Sequence, residues 1–266
     1  MDQLTAPDGT TIAHQATGTG PPVVLVVGAF CDSTSTADIT ALLADTFTVH
    51  EYDRRGRGAS GDTAPYDVQR EVEDLTAVIA AAGDVPYVYG HSSGAALALE
   101  TAATGVPMRG LAVYEAPYTA EDDGSGGSDE LLQKLRNCLA AGDPDGAAAA
   151  FLTTSGAPAE VVEMMRSGPG WSRMRELAPT LVYDVLLCNG GRPPAERLAR
   201  IDVPTLALAG GISAPWAGRS AAAIAAAVPG ARQSVVAGQH HGIPGAAIAP
   251  VLREFFGTVA ATAGSR

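Results

Sequence analysis

Pro22–Val27 is a continuous apolar, β-branched run, a pattern that suits a strand buried on both faces of a parallel sheet. Around it the chain alternates between two periods. Asp2–Ala6 and Thr10–Gln15 flank the turn tripeptide Pro7-Asp8-Gly9 and read as a hairpin. Asp38–Leu43 reads as a short helix and Phe47–Tyr52 as the next strand. Val68–Ala82 carries Val72, Leu75, Val78, Ile79 and Ala82 at helical spacing. Pro86–Tyr89 is a short apolar strand, Ser93–Thr104 a buried helix rich in Ala and Leu, and Leu111–Tyr114 another strand.

The alternation then stops. Glu121–Ser128 is acidic and rich in Gly and Ser, and reads as an exposed loop or hinge. From Asp129 to about Arg200 the pattern is helical, broken at Gly142-Asp143-Pro144, Gly156-Ala157-Pro158 and Gly168-Pro169-Gly170. Afterwards it resumes: strand Thr205–Ala209, helix Trp216–Val228, strand Gln233–Val236, helix Ala246–Phe256. An α/β sheet interrupted in this way reads as one core, residues 1–118 and 201–266, with a helical cap inserted at 119–200.

Composition narrows the chemistry. With 266 residues the chain can bury a full core without disulfides or metals. Seventeen basic against 29 acidic residues give a net charge of −12, a surface that repels phosphate backbones and argues against nucleic acid as a partner. The apolar runs fall short of the ~20 residues of a membrane span. Met1–Thr11 shows neither a basic region nor an apolar core, so no secretory signal is expected. Cys31, Cys138 and Cys188 lie far apart, which fits a reducing, cytoplasmic setting. Whether the chain is a monomer or a homodimer stays open.

The sharpest chemical signal is Gly90-His91-Ser92-Ser93-Gly94, a G-x-S-x-G between a strand and an Ala-rich helix. A serine on so tight a turn needs small neighbours, and the helix behind it favours negative charge. Gly56-x-Gly58-x-x-Gly61 formally matches a dinucleotide-binding turn. It is followed by Asp62-Thr63-Ala64-Pro65 instead of a helix, so a structural turn tied down by Asp53, Arg54 and Arg55 is the reading adopted. His14 and His50 read as ordinary strand residues, and His91 as a residue that packs or hydrogen-bonds locally.

With the elbow at Ser92, the stretch Tyr52–Ser60 (similar to D-x-R-G-x-G-x-S), the turn after Val27 and a late histidine, the chain resembles the α/β-hydrolase fold superfamily, specifically its capped single-domain serine hydrolases. The resemblance implies a mostly parallel central sheet flanked by helices, a Ser–acid–His order, a small-molecule substrate and no cofactor or metal. Epoxide hydrolases and haloalkane dehalogenases of this fold resemble it less, because they carry Asp where Ser92 stands. The late base is then His241, in register with the family's G-x-x-H, with His240 as the alternative. The loop after Thr205–Ala209, where most members carry the acid, reads Gly-Gly-Ile-Ser-Ala-Pro and holds no carboxylate. Glu115, after the previous strand, is the candidate acid. Asp184 in the cap is a weaker one, and a dyad without an acid is the third possibility. Aligning Gly28–Ser33 with the family's H-G-F-P-D-S places the oxyanion donors at the N–H groups of Phe30, or alternatively Ala29, and of Ser93. Glycine then replaces the family's histidine at position 28 and is expected to loosen the turn. Cys31 reads as a bystander thiol.

The expected chemistry is hydrolysis of an ester, lactone or thioester of a small apolar substrate. Carbon–carbon bond hydrolysis or acyl transfer and cyclisation on the same residues, and a non-catalytic ligand-binding scaffold, are the rivals.

Overall fold

The structure, a computed structural model, describes residues 1–119 and 127–263. Eight strands form one sheet: β1 (Asp2–Thr5), β2 (Thr11–Gly18), β3 (Pro22–Val26), β4 (Thr48–Tyr52), β5 (Tyr87–His91), β6 (Gly110–Tyr114), β7 (Thr205–Gly210) and β8 (Arg232–Val236). Their spatial order is β1-β2-β4-β3-β5-β6-β7-β8. The first hairpin is antiparallel and β2 runs antiparallel to β4; from β4 to β8 every pairing is parallel.

The run read as a doubly buried strand is one. Val24 and Val26 face a core with α2 (Val68–Ala81), α3 (Ser93–Ala103) and α10 (Pro215–Ala227). Val23 and Leu25 face a second core with α1 (Ala37–Leu43) and α11 (Gly245–Ala263). Each such side chain contributes about 1.5–3 kcal/mol by leaving water, so a polar residue anywhere in β3 would be costly. Among the parallel strands β8 is the exception to double burial: all but its last residue are exposed at the sheet edge.

Among the described residues, six α-helices fall between β6 and β7: α4 (Gly127–Ala140), α5 (Pro144–Thr154), α6 (Ala159–Arg166), α7 (Trp171–Leu177), α8 (Leu181–Leu187) and α9 (Ala195–Leu198). The sequence breakers act where expected. Asp143 caps α5 through the Gly146 N–H at 2.8 Å, with Pro144 in its first turn. Most of these helices share a third apolar cluster, built on Leu135, Ala148, Trp171 and Leu181, which Ala29 and Phe30 of the core also join. Of the expected loop Glu121–Ser128, residues up to 126 lie outside the described residues, and Gly127 and Ser128 open α4. No helix among the described residues is long and apolar enough to cross a membrane.

His14 and His50 are not ordinary strand residues. They sit on adjacent strands, both buried, with rings stacked at 5.2 Å and His14 Nε2 2.9 Å from His50 Nδ1. Burial, reinforced by a charge on His14, pushes His50 down to about 4. The unfolded chain therefore takes up this proton near pH 6.5, whereas the folded chain resists until about 4. The unfolded state binds more protons across that window, so stability falls as pH drops from about 6.5 to 4 and levels below it. The loss from His50 is expected to be about 3 kcal/mol. Urea unfolding of the parent and of His50→Gln at pH 7 and pH 4.5 checks this: the variant should show a shallower acid loss, and equal slopes would refute it.

Candidate functional site

The site lies at the carboxyl ends of β5, β6 and β8, the edge where open parallel sheets present their loops. Ser92 follows β5 directly and caps α3, with φ 56° and ψ −126°, a region costly for a residue bearing a Cβ. The two flanking glycines make that turn possible. A Cβ on Gly90 would lie 2.7 Å from the Ala95 Cα, and one on Gly94 would lie 2.3 Å from the Val26 carbonyl oxygen. These neighbours are backbone and cannot yield. Gly94→Ala is expected to destabilise the fold by about 3 kcal/mol. Gly218→Ala, at an exposed helix position with nothing within 4 Å, serves as the unstrained control and is expected to gain about 0.5–1 kcal/mol. Equal urea midpoints for the two variants would contradict this steric account.

Gly28 has the same kind of reason. A Cβ there would stand 2.7 Å from the Ser92 Cβ and 3.3 Å from its Oγ. Glycine at this position lets the turn after β3 approach the serine, and it is proximity, not the looseness expected from the sequence, that requires it.

Three of the predicted residues meet. His241, in the loop between β8 and α11, has its Nε2 3.1 Å from Ser92 Oγ and its Nδ1 2.7 Å from Glu115 Oε2. A carboxylate only accepts, so Nδ1 carries the proton and Nε2 is left to accept from the serine hydroxyl. Glu115 is buried, follows β6 and has a positive φ of 49°. Its other oxygen accepts the Gly210 N–H at 2.7 Å and the Ser213 hydroxyl at 2.5 Å. Burial opposes the charge on Glu115, but these bonds and the one from His241 outweigh it and hold the carboxyl below its usual range. The loop that lacks a carboxylate thus supplies two donors to the carboxylate on the neighbouring strand. Sequence reasoning missed Gly210 and Ser213; the faint signal was a strand end with glycine, hydroxyl and no acid.

Two other side chains fix the backbone of the histidine loop. Tyr114 Oη donates to the His240 carbonyl at 2.7 Å, and His91 Nε2 donates to the His241 carbonyl at 2.8 Å. The partner of His91 is therefore 150 residues away, not local. Burial and the neighbouring His241 push His91 down to about 4, so it stays neutral beside His241. The side chain of His240 bonds within its own loop: its Nδ1 accepts the Gly242 N–H at 3.1 Å, and the residue is exposed. The indole of Trp216 lies 5.8 Å from the His241 ring.

Asp184 does not reach His241. It is buried under the turn after β3, where its Oδ1 accepts from Arg54 Nη1 at 2.9 Å, Arg57 Nη2 at 2.7 Å and Ser93 Oγ at 2.6 Å. Burial opposes its charge, and the Arg57 and Arg54 guanidiniums more than offset that, lowering its pKa. Arg54 also forms a bidentate pair with Glu71 at 2.7 and 2.9 Å. Arg55 forms one with Asp74 at 2.7 and 2.9 Å. Asp53 accepts the Ser33 and Ala59 N–H groups, and a Cβ on Gly58 would strike its carboxylate at 2.1 Å. The Asp53–Ser60 stretch is thus a charged structural turn, as read, and it carries no helix opening from its glycines.

On the other side of the turn, Phe30 has a φ of 58° and packs edge-on against Phe151 of α5 at 5.5 Å. Asp32 forms an ion pair with Arg173 of α7. The Cys31 thiol is pushed up, chiefly by burial. Of the large side chains on these helices, Trp171 is buried, whereas Phe151, Met165 and Met174 are half-buried in the third cluster. Tyr183 stacks on Tyr66 at 3.8 Å, and Met164 is 67% exposed. Among the described residues no group of three or more His, Cys, Asp or Glu is placed to hold a metal ion.

Comparison with known proteins gives concordant results. A sequence model described as the alpha/beta hydrolase family matches residues 23–253. An alpha/beta hydrolase from Sphaerobacter thermophilus DSM 20745 is 43% identical, with a TM-score of 0.90 over 96% of this chain and 100% of that one. A thermophilic esterase from Thermogutta terrifontis is 20% identical, with a TM-score of 0.76 over 97% and 99% of the two chains, a likeness of fold alone. The uncharacterized hydrolase YraK of Bacillus subtilis is 34% identical over 96 residues, which span only 35% of this chain and 35% of that relative.

Proposed function

We propose that this chain, which belongs to the alpha/beta hydrolase family, is a serine hydrolase that cleaves an ester, lactone or thioester of a small apolar substrate through an acyl-enzyme. The observation that carries the proposal is the unbroken relay from Ser92 Oγ through His241 to Glu115, at 3.1 and 2.7 Å.

The chemistry follows from the relay. The Ser92 hydroxyl is too weakly acidic to attack a carbonyl unaided, so His241 Nε2 takes its proton as the C–O bond forms. Glu115 holds Nδ1–H and stabilises the resulting imidazolium. The oxyanion accepts from the N–H groups of Ser93 and Phe30, with the positive end of α3 adding to the field. Collapse expels the leaving group, which takes the proton from His241. Water then repeats the sequence on the acyl-enzyme and releases the acid. His240 lies outside this relay. The helices α4 to α9 act as a cap, since α5 and α7 touch the turn carrying Phe30 and Asp32. Its half-buried Phe151, Met165 and Met174 suit an apolar acyl or alcohol group. No step calls for a cofactor.

Fluorophosphonate labelling with peptide mapping, followed by a panel of acyl esters, lactones, thioesters and 1,3-diketones, tests the reading. Adduct on Ser92 and turnover of esters, lactones or thioesters support it. Adduct with turnover of diketones alone would redirect it to carbon–carbon bond hydrolysis. A folded protein that is neither labelled nor active on any member would overturn it in favour of a binding scaffold.

A further inference from the structure

We infer that Asp184 is a positioning residue that fixes both arms of the oxyanion-binding site from the inserted helices. The inference rests on the catalytic reading above and adds a residue to which that reading gives no role.

Asp184 sits on α8, between β6 and β7 in the chain, yet its carboxylate is buried against the arginines that follow β4. A single oxygen, Oδ1, gathers three donors. Two are guanidiniums whose Nη1 groups reach on to consecutive carbonyls of the turn after β3. Arg54 Nη1 donates to the Val27 carbonyl at 3.1 Å, and Arg57 Nη1 to the Gly28 carbonyl at 2.5 Å and the Cys31 carbonyl at 3.2 Å. These carbonyls bracket Ala29 and Phe30, the first arm. The third donor is the Ser93 hydroxyl, on the residue whose N–H forms the second arm. That hydroxyl accepts from Arg54 Nη1 at 3.2 Å while donating to Asp184 at 2.6 Å, so its orientation is set from both sides. Charge-assisted bonds of this length hold geometry more firmly than neutral ones. An oxyanion site works only when its donors are fixed before charge develops, and an error of about 1 Å can cost a hundredfold in rate. Asp184 thereby makes the docking of α8 a condition for a well-formed oxyanion site.

Asp184→Asn keeps the size and one acceptor but removes the charge. With an acyl ester as substrate, and kcat taken per active site titrated with a fluorophosphonate, the variant is expected to lose about 10- to 100-fold in kcat. KM should stay within about threefold, because the ground-state ester makes little use of these donors. The midpoint of the kcat/KM pH profile should not move, since Asp184 does not touch His241. A purely structural role would lower the thermal midpoint and the titratable fraction but leave kcat per titrated site intact. Ser93→Ala is the second variant. It leaves every charge paired and the Ser93 N–H in place, and is expected to lose about tenfold in kcat. If Asp184→Asn does not fold, Ser93→Ala decides. A kcat per titrated site within twofold of the parent, in Asp184→Asn or, failing that, in Ser93→Ala, overturns the inference. A folded parent neither labelled nor active on the panel would instead sink the catalytic reading, and the inference with it.

Discussion

Replacing Ser92 by alanine is expected to reduce kcat by about a million-fold on the best substrate of the panel, with binding and thermal stability little changed. Alanine keeps the Cβ and the backbone strain at this position, so the fold pays nothing new. What disappears is the oxygen that stands 3.1 Å from His241 Nε2. The residual rate comes from the oxyanion donors and from holding substrate beside water, worth on the order of 10³–10⁴ over the uncatalysed reaction where triads operate. Fluorophosphonate labelling should vanish with the activity. A Ser92→Ala protein retaining more than one per cent of parental kcat would remove Ser92 from the nucleophile's role.

The second large effect belongs to Glu115→Gln, for which a loss of about 10⁴ in kcat is expected. The reason is specific to this structure. One carboxylate oxygen already accepts from the Gly210 N–H and the Ser213 hydroxyl. In the amide, that pair of donors holds the carbonyl oxygen, which leaves the –NH₂ facing His241 Nδ1. The histidine must then accept at Nδ1 and carry its proton on Nε2, where it can no longer take one from Ser92. The parent's own acid limb should not come from Glu115, whose pKa lies below the usual carboxylate range. The sign for stability agrees: a depressed carboxylate stabilises the fold above its unfolded pKa, and that contribution is lost as pH falls through the folded value. Steady-state rates of Glu115→Gln between pH 6 and 9 decide the matter. A loss smaller than tenfold would show that His241 is oriented by something else.

Much of this site could be reached from the chain alone, for reasons that differ between residues. Ser92 was legible because the elbow is local: five consecutive residues, a strand and a helix carry the whole signal. The strands β3, β5, β6 and β7 were legible because burial on both faces demands unbroken apolar runs. Asp184 was harder. As a carboxylate in a helix it could be only one candidate among several, and the arginines that claim it lie 127 and 130 residues away. Gly210 and Ser213 bear no chemistry of their own and become functional only once β6 and β7 are known to be neighbours. The His14–His50 pair depends on the antiparallel register of β2 and β4, which single-strand patterns do not contain. The last helix was read to Phe256 but runs from Gly245 to Ala263 across Pro250, because its face against the core continues past the apolar centre that was counted.

Four non-glycine residues among those described have a positive φ, and three of them are Phe30, Ser92 and Glu115. Selection on this molecule therefore has two aims that conflict at the same three codons. A library screened only for heat resistance should accumulate glycine or asparagine at these positions, relieving backbone tension at the expense of turnover. A library screened for turnover should leave them untouched and gather its stabilising changes elsewhere, on helix surfaces and in the first hairpin. Where a lineage of such proteins has drifted at all three positions, the fold has outlived the work for which it was bent.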